Sequence, residues 1–191
     1  MAVRKIIPEK DGIYFVTITC YKWLNLFSIT EGFDIVYTWF DYLKDQGHFI
    51  NAYIIMPNHL HVLFTFRKSN KSINQIIGNG KRLMAYQLVH HLERLNRQDV
   101  LKILKSGVNK SDQKKGKLHQ VFQPSFDWKE CINDHFIYQK LNYIHQNPMN
   151  LVDNITDYTH SSAQFYENGK QGLYTVTSIE EIKDIDLTKH W

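Results

Sequence analysis

The sequence predicts an α+β fold, in which a split βαβ, ferredoxin-like antiparallel sheet carries helices packed on one face. The main observation is the order of local patterns along the chain: strand, helix, strand, strand, helix, strand, helix. The second observation is size and composition. A chain of 191 residues that is 43% hydrophobic and 14% aromatic can bury one substantial core. The length fits one domain, or one domain with an appendage.

The first strand and the first helix follow from local composition. IYFVTITC at residues 13–20 is rich in β-branched and aromatic side chains, which predicts a strand. Residues 31–46 place apolar side chains at helical spacing, and Gly47 follows as a stop signal. A strand followed by a helix is the first half of a βαβ unit.

A hairpin should come next. Two strands are predicted, FINAYIIM at residues 49–56 and HLHVLFTF at residues 59–66. The pair Pro57-Asn58 between them indicates a turn. Adjacent strands joined by so short a turn must pair in antiparallel fashion.

The second half of the chain predicts two further helices. Residues 72–95 have a helical apolar pattern with Ser72 as N-cap, and a helix over about 135–147 follows Asp134 and ends near Pro148. VFQPSFDW at residues 121–128 predicts a short fourth strand. The lysine-rich stretch 105–119 is polar and aperiodic, which predicts a loop.

Charge and cysteine usage narrow the function classes only a little. The net charge is +4 and the pI is about 8.9, which permits a nucleic-acid partner without requiring one. Cys20 and Cys131 are far apart and predict two reduced thiols. The N-terminus lacks the apolar core of a signal peptide, and no apolar run reaches the length of a membrane span. We expect a protein of the cytoplasm, either in the cytosol or at the nucleoid, without a membrane partner.

His59 and His61 are the first candidate site residues. Side chains alternate along a strand, so these two imidazoles share one face, while Leu60, Val62 and Phe64 share the other and face a core. Two neutral imidazoles at i and i+2 form half of a site for a divalent metal. An H-x-H triplet alone is a weak signal, and two hydrogen-bonded surface histidines would give the same pattern.

Tyr143 and Asn147 are the second candidate pair. They lie four residues apart in LNYIHQNPMN, so they project from the same side of the predicted helix, whereas His145 points elsewhere. The alternative is an amphipathic helix with a half-buried tyrosine and an asparagine at its end.

Four segments together carry a resemblance to a known family. PNHLHVLF, the helix near 72–95, VFQPSFDW and YIHQNP occur in the order typical of the single-tyrosine HUH transposases, and they resemble most the REP-associated bacterial branch. The resemblance covers roughly residues 10–165 and includes YTHSSAQFY at 158–166. It implies a catalytic domain over residues 1–152. Residues 153–191 are then a C-terminal tail that either binds DNA or packs on the core.

The resemblance implies roles for the candidate residues. Tyr143 would be the nucleophile, and His59, His61 and Asn147 would hold a divalent metal, Mg²⁺ or Mn²⁺, where many relatives have Gln, Glu or Asp as the third ligand. The substrate would be single-stranded or hairpin DNA, cut through a 5′-phosphotyrosine intermediate by a monomer or homodimer. Cations after the histidine strand could contact DNA phosphates: Arg67, Lys68, Lys71, Lys81 and Arg82.

The sequence leaves three alternative functions open. The chain could be a host-adopted protein that binds hairpin DNA without transposing it. It could be a metal-dependent hydrolase of small molecules that uses the same histidines and an activated water. It could also be a structural α+β module without metal or DNA. The presence of His59, His61, Tyr143 and Asn147 together argues against loss of the strand-transfer chemistry, although it does not argue against loss of transposition.

Overall fold

A computed structural model describes residues 11–189. Four antiparallel strands form one sheet in the order β2-β3-β1-β4, which is the split βαβ topology. The strands are β1 (Gly12–Thr19), β2 (Phe49–Met56), β3 (His59–Phe66) and β4 (Asp127–Glu130). The predicted α+β fold and the predicted hairpin are confirmed.

The helices connect the strands and extend beyond the last one. In chain order they are α1 (Leu26–Ile29), α2 (Asp34–Asp45), α3 (Ile73–Arg94), α4 (Gln98–Ser106), α5 (Lys110–Lys114), α6 (Asp134–Gln146), α7 (Ala163–Asn168) and α8 (Ile179–Lys183). Ser72 begins α3 in a capping box, in which its hydroxyl accepts from the Gln75 amide and the Gln75 side chain accepts from the Ser72 amide. None of the helices within residues 11–189 is both long enough and apolar enough to cross a bilayer.

The loop predicted over 105–119 is wrong in part. Residues 105 and 106 complete α4, and α5 follows with Asn109 as its N-cap, whose side chain accepts from the Asp112 amide. Helix α4 forms because Val100, Leu101 and Leu104 make an apolar stripe that packs into the core. That stripe is too short to stand out against the lysines that follow it.

The placement of all helices on one face is also wrong. Helices α2 and α3 cover one face of the sheet, where the core includes Val16, Val62 and Phe64. Helix α6 packs on the opposite face through Ile137, Leu141 and Ile144. The strands support both layers because their second face is apolar too, with Phe15, Ala52, Ile54 and Leu63 buried against α6.

Helices α2 and α3 approach each other closely at Gly80. A Cβ atom at this position would overlap Nε1 of Trp39, a buried side chain of α2. Glycine is therefore required here by packing, although it weakens a helix interior.

The C-terminal part of the chain lies along the free edge of β2. The amides of Ser162 and Thr177 donate to the carbonyls of Tyr53 (3.0 Å) and Ile50 (2.9 Å), and the Ile55 amide donates to the His160 carbonyl (2.9 Å). Two phenols add to this pairing: the hydroxyls of Tyr158 and Tyr166 donate to carbonyls of β2, each at 2.9 Å. Backbone groups on this edge are thus satisfied by residues 158–177.

Candidate active site

The two histidines lie at the start of β3, on the face that α6 covers. His59 is paired with Thr19 of β1 and His61 with Thr17. Their ring centroids are 4.7 Å apart, and His61 is only 5% exposed while His59 is half-buried. The strand therefore holds both imidazoles side by side on a rigid support.

His59 is oriented by one asparagine and faces a second. Its Nδ1 lies 2.7 Å from Oδ1 of Asn58, so this nitrogen carries the proton and donates. Its Nε2 then presents a lone pair, and Oδ1 of Asn147 lies 3.1 Å from it. Nε2 of His59 in β3 and Oδ1 of Asn147, just after α6, are therefore two electron-donating atoms that lie side by side.

His61 is held by β1. Its Nδ1 lies 2.8 Å from the hydroxyl oxygen of Thr17, and its ring stacks on Phe15 at 5.3 Å between centroids. When Nδ1 donates to the hydroxyl, the tautomer leaves the lone pair on Nε2. Metal-ligating imidazoles are commonly fixed in this way by a partner on the other ring nitrogen.

Helix α6 brings Tyr143 to the histidines. The helix starts at an Asn133 cap, whose side chain accepts from the Phe136 amide, and its buried stripe docks on the sheet. His145 fixes the helix further, since its buried Nε2 lies 2.9 Å from the Ser162 hydroxyl. Tyr143 projects from the side of α6 opposite to His145. It is 49% exposed, and its ring centroid lies 5.2 Å from that of His61.

Burial keeps both imidazoles neutral. Desolvation, followed by the nearby charges of His59 and Lys140, lowers the pKa of His61 to about 3. Desolvation also lowers the pKa of His59, against a smaller rise caused by Asn147. Neutral imidazoles are the form that binds metals.

The donor set fits a divalent metal of borderline hardness. Ligand atoms about 2.1 Å from an ion and at right angles to each other are about 3 Å apart, close to the 3.1 Å between Nε2 of His59 and Oδ1 of Asn147. Two imidazoles favour Mn²⁺ or a similar ion over Mg²⁺. Within residues 11–189, no group of three or more His, Cys, Asp and Glu side chains offers an alternative site.

Lys140 and Phe15 belong to this site, although the sequence patterns did not single them out. The Lys140 ammonium lies 4.8 Å from the centroid of the Phe15 ring and 5.5 Å from that of Tyr143. Lys140 precedes Tyr143 by three residues, so helical spacing alone would have placed a cation beside the phenol.

Trp23 is the second addition to the site. Its side chain is 58% exposed and meets the His59 ring edge-on at 5.6 Å. Lys22 and Trp23 both have positive φ angles, 53° and 58°, a strained conformation for residues other than glycine. Such strain clusters at functional sites, and no local sequence signal predicts it.

The predicted DNA-contacting cations lie away from Tyr143. Arg67 and Lys68 follow the far end of β3, about 25 Å from His59 at the usual rise per residue. The Arg67 side chain donates to the carbonyls of Lys189 and Asp186, and the Lys71 ammonium donates to the Tyr42 hydroxyl. These three residues are therefore separate from the histidine site.

Lys81 and Arg82 lie on α3, which covers the other face of the sheet. The Lys81 ammonium donates to the carbonyls of Gln123 and Ser125, at 2.7 and 3.1 Å. Arg82 lines a cleft beside α3. Contact of any of the five cations with DNA remains a prediction.

The strand order β2-β3-β1-β4 defines the ferredoxin-like class of α+β folds, and the imidazole pair lies on β3, one of its two central strands. Among solved structures, a REP-associated tyrosine transposase bound to a REP hairpin matches over 100% of this chain and 99% of its own, with a TM-score of 0.60 and 18% identity. A candidate transposase of Deinococcus radiodurans R1 matches over 74% of this chain and 94% of its own, with a TM-score of 0.43 and 15% identity. No protein-family profile and no curated protein sequence matches. The resemblance to REP-associated tyrosine transposases is thus confirmed at the level of the fold.

Proposed function

We propose that this protein is a metal-dependent enzyme that cuts and rejoins single-stranded DNA at hairpin-containing sites through Tyr143. One observation carries the proposal: β3 and α6 bring a half-exposed phenol, two neutral imidazoles and an amide oxygen together at one point of the sheet. The fold it shares with a hairpin-bound transposase supports the choice of substrate.

The reaction is a phosphoryl transfer to Tyr143. The phenol oxygen attacks the scissile phosphorus, the P–O3′ bond breaks, and a 5′-phosphotyrosine forms. Because Tyr143 is exposed, its proton leaves to solvent, and the departing 3′ oxygen takes a proton from solvent. Attack of another 3′-hydroxyl reverses the step, so the bond energy is retained and no nucleotide cofactor is consumed.

Each surrounding side chain has a defined task. His59, His61 and Asn147 would hold the divalent ion, which polarises a phosphate oxygen and stabilises the charge that develops on it. Lys140 stabilises negative charge near the phenol. Trp23 offers an exposed ring beside His59, on which a base next to the scissile phosphate can stack.

The test is covalent adduct formation. Purified protein is incubated with end-labelled single-stranded hairpins from its genomic flanks and Mn²⁺ or Mg²⁺, then resolved on a denaturing gel. We expect a protease-sensitive adduct at the new 5′ end of the fragment downstream of the cut, and a free 3′-hydroxyl on the upstream fragment. The adduct should be lost in Tyr143→Phe while hairpin binding persists. Tyr138→Phe, a partly exposed phenol of the same helix, is the matched control.

The outcomes separate the remaining functions. An adduct in Tyr143→Phe would refute the assignment of the nucleophile. Tight hairpin binding without an adduct in the wild type would identify a DNA-binding protein that has lost the chemistry. Cleavage of generic phosphodiesters that tolerates Tyr143→Phe would indicate the hydrolase.

A further inference from the structure

A cleft of about 630 Å³ lies between α3 and residues 115–124, on the face of the sheet opposite Tyr143. Its volume is within the range of ligand sites, about 300–1,000 Å³. The histidines, Tyr143 and Asn147 do not line it. It is therefore a feature that the proposed chemistry does not explain.

The helix side of the cleft carries a regular stripe. Gly78, Arg82, Tyr86 and His90 follow each other at intervals of four residues, so they lie above one another along α3. Tyr86 is 69% exposed, a large apolar surface in water. Within residues 11–189, the Arg82 guanidinium has no ion-pair partner, and Lys115 lines the opposite wall.

Gly78 leaves the backbone of α3 uncovered where the helix lines the cleft. A Cβ atom there would meet nothing within 4 Å, so packing does not require glycine, in contrast to Gly80 two residues later. Glycine inside a helix costs about 1 kcal/mol relative to alanine. Glycine is favoured where another molecule approaches the backbone closely.

The charge of the cleft selects a polyanion. Lys81, Arg82, Lys115 and Lys117 line it, against one acidic residue, Glu93. Lys81 and Lys117 already bond to protein oxygens, which fixes the wall and leaves Arg82 and Lys115 facing the opening. Cations spaced around an exposed aromatic ring are the pattern of single-strand binding grooves, where bases stack and phosphates are neutralised.

The cleft is joined to the active site by the backbone. The Gln123 amide donates to the Thr19 carbonyl and the Tyr21 amide to the Val121 carbonyl, both at 2.8 Å. Thr19 is paired with His59, and Trp23 comes two residues after Tyr21. The far wall of the cleft thus begins at the end of the sheet where the histidines lie.

We infer that this cleft binds single-stranded DNA that runs on from the cleavage site, with a base stacked on Tyr86, phosphates at Arg82 and Lys115, and the strand backbone against Gly78. This inference rests on the proposed function for the identity of the strand. The cleft would add affinity for long substrates and leave the chemistry at Tyr143 unchanged.

The experiment measures binding of fluorescent oligothymidylates of roughly 4 to 16 nucleotides by anisotropy across a salt titration. We expect Tyr86→Ala to weaken binding of the long oligomers roughly 5- to 150-fold, as loss of one stacked base would, and Tyr86→Phe to keep it. Leu83→Ala, a partly exposed position of α3 outside the cleft, is the control and should leave binding unchanged.

Two further variants separate binding from folding. Arg82→Gln should reduce the salt slope by about 0.7, the value for one lost contact to a single strand, whereas Arg94→Gln on the same helix should not. Gly78→Ala should raise the midpoint of thermal unfolding and yet weaken binding of the long oligomers. A substitution that only destabilised the fold would lower the midpoint of thermal unfolding, and it would not change the salt slope at Arg82 while sparing it at Arg94.

The inference is overturned if the wild type binds no oligothymidylate, or if Tyr86→Ala and Arg82→Gln bind the long oligomers as the wild type does. The second result would point to an acidic peptide or another ligand.

The Tyr143 adduct is measured separately on a minimal hairpin. An adduct with an unaffected cleft leaves the proposed function standing, and a DNA-binding cleft without any adduct leaves the cleft standing alone.

Discussion

On one face of β3, Leu60, Val62 and Phe64 are fully buried beneath α2 and α3, whereas the other face of the same strand presents His59 and His61 to α6. The first face stabilises the fold through apolar area removed from water. The second face buries polar groups that must be held by specific partners, Thr17 and Asn58. Substitutions on the two faces should therefore fail in different ways, the first by unfolding and the second by loss of chemistry.

The largest effect is expected on the core face. Phe64→Ala removes a fully buried ring and should lower the free energy of unfolding by about 3–5 kcal/mol, measured by urea denaturation. Phe64→Leu, which keeps most of the volume, should lose much less. Adduct formation by the fraction that remains folded should be unchanged, and a selective loss of adduct would contradict the separation of the two faces.

On the site face, Thr17→Val should act on the metal requirement. The substitution keeps the shape of the side chain and removes the hydroxyl that orients His61, so the Mn²⁺ concentration for half-maximal adduct formation should rise about 10- to 100-fold. Thr19→Val, two residues along the same face, is the control, since no bond of its hydroxyl is found within residues 11–189. Equal effects of the two substitutions would remove Thr17 from the site.

A third, smaller effect concerns pH on the core face. Burial, followed by the charge of Lys71, lowers the pKa of His48 to about 4, and its Nδ1 accepts from the Arg67 amide at 3.2 Å. The unfolded chain binds a proton at His48 below about pH 6.5 and the folded chain does not. Stability should therefore fall as the pH drops from about 6.5 toward 4, with His48 contributing about 1–2 kcal/mol of the loss by pH 5.

The measurement for His48 is urea unfolding at pH 7 and pH 5. His48→Gln lacks the titrating group, so its stability should depend less on pH than that of the wild type. An unchanged pH dependence would mean that His48 does not titrate differently in the two states.

The smallest effect concerns strain beside the site. Lys22→Gly relieves a left-handed backbone conformation and should raise the free energy of unfolding by less than about 1 kcal/mol. Adduct yield should fall, because Trp23 is then held less firmly beside His59. Asn96→Gly, at a φ of 52° after α3, should raise stability by a similar amount and leave the adduct unchanged. Lower stability of Lys22→Gly would show that the segment is not strained.

Local patterns predicted most of the fold. The bounds of β2 and β3 and the N-cap at Ser72 were predicted because each depends on a few adjacent residues. The position of α6 on the second face was not, because Phe15, Ile54 and Leu63 are apolar on a face that a half-buried sheet would expose. Long-range pairing decides such placements, and periodicity does not encode it.

The candidate site shows the same division. The H-x-H triplet and the four-residue spacing of Tyr143 and Asn147 were visible, and the structure brings the two pairs together. Trp23 was missed because its contacts with Asn58 and His59 join residues that are far apart in the sequence. The separation of Arg67 from the histidines was missed because closeness in sequence hides the length of an extended strand.

Residues 158–177 have a consequence for assembly. An uncovered edge strand is a template on which a second chain can extend a sheet. Here the template is already occupied, since the amide of Ile55 and the carbonyls of Ile50 and Tyr53 pair within the chain. Two copies of this protein can form one continuous sheet through β2 only if residues 158–177 first detach from this strand. Any stable homodimer with an intact fold must therefore be built from other surfaces.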